Sequence, residues 1–158
     1  MQRRTLVPLA ALALAILGVA AAVTSAAGTV QTVIKGGPGE GEGVYKVSGG
    51  KILPVNGQIT APSTFKCNTS NLIVKAKSIP LKGGKIDYVG PAYVDKFRAP
   101  KVLGTLTWKG KPTNGTIRFK TKKTVKPTAG GVTIVNKTCD TGTLKYVPFK
   151  PGVGVGVG

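Results

Sequence analysis

Gly104-Thr105-Leu106-Thr107-Trp108, followed by Gly115-Thr116-Ile117-Arg118-Phe119, is the stretch that decides the fold of this chain. Both pieces repeat one pattern: glycine, any residue, Leu or Ile, any residue, aromatic. Residues two apart in a strand share a face, so each piece aims an aliphatic and an aromatic side chain one way and polar residues the other. The intervening Lys111-Pro112-Thr113-Asn114-Gly115 is short enough to join them as an antiparallel hairpin. The pattern recurs in Gly84-Lys85-Ile86-Asp87-Tyr88 and in Gly142-Thr143-Leu144-Lys145-Tyr146. Its irregular spacing argues for equivalent strands of one sheet system, not a solenoid. Each glycine is expected to open its strand after a turn.

Working outward, Val44 to Val47, Gln58 to Thr60, Leu72 to Lys77 and Val132 to Val135 read as further strands, rich in Val, Ile, Thr and aromatics. No window sustains apolar spacing at helical periods, and Gly and Pro interrupt every long run. The expected fold is therefore all-β, an antiparallel β-sandwich or barrel of about seven or eight short strands, spanning residues 44–150. The expected core is Leu72, Val74, Ile86, Tyr88, Leu106, Trp108, Ile117, Phe119, Leu144 and Tyr146.

The flanks read differently. Arg3-Arg4, the apolar run Leu6 to Val23 and the small residues Ser25-Ala26-Ala27 make residues 1–27 a secretory signal peptide. The alternative is an uncleaved anchor, because about 18 apolar residues just span a bilayer. Residues 28–43 read as a Gly-rich linker, although Thr29 to Ile34 could equally be extended. The tail 151–158, Pro-Gly followed by alternating Val and Gly, reads as a disordered end. Export changes the reading of Cys67 and Cys139: in an oxidising compartment they most simply form one disulfide, worth about 4 kcal/mol in the loop-entropy account. A pair of buried free thiols is the alternative.

Chemistry is limited by what the chain lacks. It has no histidine, which excludes Ser-His-Asp and Cys-His nucleophiles and His-based metal sites. Residues 44–150 contain no glutamate, leaving Asp87, Asp95 and Asp140 as the carboxylates for any paired-acid hydrolysis. Asp140-Thr141-Gly142 matches the aspartic-protease triplet. That chemistry needs two such carboxylates sharing a proton, and a turn into the last strand fits the position better. The glycines at 36–43 lack the order of a phosphate-binding loop. No catalytic residue, metal or cofactor is expected.

What the chain has in excess is charge. Residues 44–150 carry 18 Lys and 2 Arg against 3 Asp, a net +17. Lys109, Lys111, Arg118, Lys120, Lys122, Lys123 and Lys126 fall on outward strand positions and adjoining loops, where they would attract polyanions by counterion release. A solvated face that keeps the protein soluble is the competing reading. Lysine's dominance suits diffuse attraction more than bidentate phosphate recognition. Sequence-specific nucleic acid is not expected, because the aromatics are placed in the core and not on a stacking platform.

Residues 66–148 resemble small secreted β-domains of high-GC Gram-positive bacteria. The shared features are a Lys/Thr/Gly-rich meander, one early Cys, and an ending similar to Cys139-Asp140-Thr141-Gly142-Thr143-Leu144-Lys145-Tyr146. The resemblance implies an envelope or extracellular β-protein and brings no activity with it. The expected function is binding without catalysis. The expected partner is an anionic polymer of the cell envelope or matrix, such as teichoic acid; the alternative is a structural or adhesive surface module that binds another protein. Membrane contact is expected only if the leader stays uncleaved, and the oligomeric state is left open.

Overall fold

The computed structural model describes residues 28–36, 41–64, 66–68, 71–95 and 101–150. The expected signal peptide, part of the expected linker and the Val-Gly tail lie outside the described residues.

The four repeated pieces fold as neighbours. They occupy β7 (Ile86–Val94), β8 (Val102–Lys111), β9 (Asn114–Thr121) and β13 (Leu144–Pro148). Tyr88 pairs with Trp108, Trp108 with Ile117, and Ile117 with Leu144, so the copies stand in one cross-strand row. The hairpin expected at Lys111–Gly115 joins β8 to β9, with Lys111 opposite Asn114.

Four more strands complete a ring: β1 (Gly28–Ile34), β2 (Gly43–Ser48), β4 (Ile59–Ala61) and β5 (Leu72–Val74). The order is β1-β13-β9-β8-β7-β5-β4-β2, and β2 pairs back with β1. Every pairing is antiparallel, so the sheet closes as an eight-stranded barrel and its staves leave no edge. Outside the ring, β3 (Lys51–Leu53) and β6 (Ile79–Pro80) extend β2, and β12 (Cys139–Asp140) extends β9. The strands β10 (Thr124–Thr128) and β11 (Gly131–Val135) form a separate hairpin.

Three sequence expectations change. Residues 28–34 are not tether: they form β1, the stave that closes the barrel between β2 and β13. The strand expected over Leu72 to Lys77 ends at Val74. Its next partner on β7 is Pro91, whose carbonyl accepts the Lys75 N–H (3.0 Å) but which has no N–H to donate in return. Gly104 does not open its strand either; it is the third residue of β8, and a Cβ there would lie 2.5 Å from the Phe119 ring. Gly115 likewise makes room, since a Cβ would fall 2.8 Å from the Tyr146 hydroxyl.

Eight of the ten expected core residues are buried. Leu144, at the start of β13, and Tyr88 are only partly covered. The Tyr88 ring turns along β7 over Gly90, and its hydroxyl donates to the Pro91 carbonyl (2.9 Å). The barrel centre belongs to Trp108, fully buried between two tyrosines set edge-on to it. Tyr45 lies 5.0 Å away between ring centroids and Tyr146 6.1 Å away. Tyr45 sits on β2, opposite β8 in the ring, so this contact crosses the barrel. Both phenols donate to the β8–β9 turn that covers this end: Tyr45 to the Pro112 carbonyl, Tyr146 to that of Lys111 at 2.6 Å. Burial pushes the Tyr146 hydroxyl up to about 12 and that of Tyr45 higher still, so both remain donors across the ordinary pH range. The expected disulfide joins Cys67 to Cys139 with Cα atoms 5.8 Å apart, tying the turn Lys66–Asn68 to β12.

Trp108→Ala should cost about 3–5 kcal/mol in equilibrium unfolding, as for a large core aromatic. Tyr45→Phe and Tyr146→Phe, which keep the rings, should cost about 1 kcal/mol each. Denaturant titration separates these; a Trp108→Ala variant no weaker than the Tyr→Phe variants would contradict a barrel centred on this residue.

Candidate polyanion-binding groove

Charge is distributed on the outer face by the same alternation that fills the inside. Thr105 of β8 faces Lys120 of β9, and Lys109 faces Thr116, so Lys109 and Lys120 both point outward. They are four residues apart along the ribbon, about 14 Å at strand rise. The seven residues expected to bind polyanions therefore separate into groups.

Lys109 and Lys111 lie at the β8–β9 turn. Lys109 flanks Asp87 (3.8 Å), which also holds Lys82 (3.2 Å) on the exposed end of β7. The two ammonium groups, Lys82 first, hold the Asp87 carboxyl below its ordinary range. Arg118 is already engaged. Its Nε and guanidinium nitrogen donate to the two carboxylate oxygens of Asp140 at 2.8 and 2.5 Å. Asp140 also accepts the Gly142 N–H (2.9 Å) and lies 3.8 Å from Lys120. Arg118, then the Gly142 amide, hold its carboxyl well below the usual carboxylate range. The Asp-Thr-Gly triplet is thus the turn into β13, with Thr141 bridged to Phe119 through its hydroxyl and its backbone N–H.

Lys120, Lys122 and Lys123 converge, and a lysine that sequence reasoning missed joins them. A groove of about 910 Å³ opens between the Lys101–Thr105 and Lys120–Lys123 segments on one side and Ile134, Thr138, Cys139 and Asp140 on the other. Lys101, Lys120, Lys122 and Lys123 line it, Leu103 and Ile134 give it apolar surface, and Val102 is buried beneath. Thr121, buried between them, fixes this rim: its hydroxyl lies 3.0 Å from the Leu103 carbonyl and accepts the Lys123 N–H at 3.1 Å. Pairing of Cys139 with Thr121 and Asp140 with Lys120 sets the opposite wall, and the disulfide anchors it. Lys126 falls elsewhere, on a second groove of about 510 Å³ with Lys137, on the other side of Cys139.

Lys101 stands outside the cluster of lysines at 120–126 and before the repeated pattern, so only the folded hairpin, which sets the start of β8 beside the end of β9, brings it to this groove. Four lysines line this groove against one carboxylate, Asp140, which is shared with Arg118; the Lys101 ammonium lies over the Tyr93 ring of β7, so the local excess of positive charge rests on Lys120, Lys122 and Lys123. Such a concavity raises the local concentration of anions.

Because the folded-state carboxyl of Asp140 is depressed, its contribution to stability is present above the unfolded carboxylate range near ~3.9 and is lost as pH falls through the folded value. Asp140→Asn should therefore be less stable than the parent at neutral pH, with the gap closing progressively as the pH is lowered below ~3.9. Thermal unfolding across pH measures this, and a gap that widens in acid would contradict it. No protein-family model, curated protein or solved structure matches this chain.

Proposed function

We propose that this chain is an exported, non-enzymatic β-barrel domain that binds anionic polymers of the cell envelope or extracellular matrix through its lysine-rich surface. The observation that carries the reading is the convergence of Lys101, Lys120, Lys122 and Lys123 on one groove. Like charges gathered at the end of β9, on Lys120, Lys122 and Lys123, repel one another less when an anion lies between them. Lysine rather than arginine suits a repeating polymer met in many registers, since each ammonium acts as a point charge without a fixed fork. Net charge over residues 44–150 extends the attraction beyond the groove and steers a polyanion toward it. The secretory leader supplies the route and fits the disulfide, which persists outside reducing compartments.

A second reading, a structural or adhesive module that docks another protein, is supported by Val89 and Leu103, which stand 63% and 58% exposed on the outer face of β7 and β8. The two readings differ in salt dependence. Counterion release makes log affinity fall linearly with log salt, by about 0.7–0.9 per phosphate neutralised on nucleic-acid lattices, the nearest guide.

With long-chain polyphosphate as the probe, the protein should show a steep salt slope. Replacing Lys101, Lys120, Lys122 and Lys123 together with Gln should flatten it by about three. Lys109→Gln with Lys111→Gln should change it by less than half as much. Equal effects from the two sets would remove the groove from the account, and binding indifferent to salt would favour the protein-docking reading.

A further inference from the structure

The floor of the groove asks for something a bare polyanion does not supply. Leu103 points outward on β8 and is exposed, Val102 is buried beneath the groove, and Ile134 of β11 lines it while packing partly against the core. Tyr93 is the cross-strand partner of Leu103, and the Lys101 ammonium lies 4.6 Å from the centre of its ring. The Lys101 charge is thereby drawn toward β7, on the side of β8 away from β9, and the exposed Leu103 is left in the groove with Lys120, Lys122 and Lys123, an amphipathic arrangement. Polyphosphate would cover the lysines and leave Leu103 in water.

We propose that the groove receives a single molecule of a phosphate-bearing amphiphile, with its phosphate among Lys120, Lys122 and Lys123 and its alkyl part on Leu103 and Ile134. This rests on the polyanion reading for the rim and adds the apolar half of the ligand. The groove's size suits one molecule: about 910 Å³ lies within the range of small-ligand sites, roughly 300–1,000 Å³. A flat lipid surface would meet only the rim. Every methylene taken out of water raises affinity about fourfold, so two or three resting on the floor outweigh the contribution of one exposed ion pair.

Titration of the exported protein with octyl phosphate below its micellar range, with methyl phosphate and with long-chain polyphosphate tests this. Octyl phosphate should bind at least about tenfold tighter than methyl phosphate, the gain of two buried methylenes. Leu103→Ser should abolish most of that gain while leaving polyphosphate affinity within about twofold, which also reports an intact fold; Leu103→Met should retain the gain. Equal binding of octyl and methyl phosphate, with polyphosphate still bound, overturns the amphiphile and leaves the polyanion reading standing. Loss of polyphosphate binding together with the alkyl preference overturns both. Association with anionic phosphatidylglycerol vesicles, without binding of the monomeric octyl phosphate, overturns the single-molecule site in favour of a bilayer face.

Discussion

The contact between Trp108 and Tyr45 across the barrel is the constraint on which the rest depends. An eight-stranded ring encloses a space that side chains can just fill, and these two come from opposite staves to fill it. Tyr146 completes the group from two strands away, and the two phenols reach past the indole to the carbonyls of the β8–β9 turn. One cluster thereby sets the barrel's width, the height of the hairpin and the closure of one end. Glycines follow from the same demand: Phe119 and Tyr146 lie where Gly104 and Gly115 would otherwise carry a Cβ.

Once the inside is fixed, the outside is determined. Alternation places Lys109, Arg118 and Lys120 outward on β8 and β9, and register decides which of them can meet. The short strand β12, held by Cys67–Cys139 and by the Arg118–Asp140 pair, raises a wall beside β9 and turns a basic ribbon into a groove. Covalent, ionic and backbone links act on the same few residues, so the wall stands although β12 itself has only two residues.

Much of this was legible in the sequence, and what was not has physical reasons. The glycine–aliphatic–aromatic pattern picks out β7, β8, β9 and β13 because their inward faces are apolar at alternate positions. β1 escapes the same test: Thr32, a polar residue, faces inward with no exposure beside the Tyr45 hydroxyl, and the Gly-rich run that follows resembles a tether. Tyr45 was overlooked because it stands outside the repeated pattern, although Gly43, Tyr45 and Val47 alternate correctly within β2. Of the lysines, Lys120, Lys122 and Lys123 are close in sequence and remain close in the fold. Lys109 and Lys111 are near in sequence too, yet four residues of strand carry them to the other end. Lys101 precedes β8 and lies 19 residues before Lys120, so it lines the groove only because the β8–β9 hairpin lays the start of β8 beside the end of β9.

The central claim is that the barrel's positive charge acts at one groove and not as a diffuse coat. Amide chemical-shift mapping of the isotope-labelled protein during addition of long-chain polyphosphate tests it most directly. The account predicts the largest changes at Lys101–Thr105, Lys120–Lys123 and residues 138–140, with little response at Lys109 and Lys111. Changes spread evenly over every lysine-bearing strand, or centred on the β8–β9 turn, would contradict it.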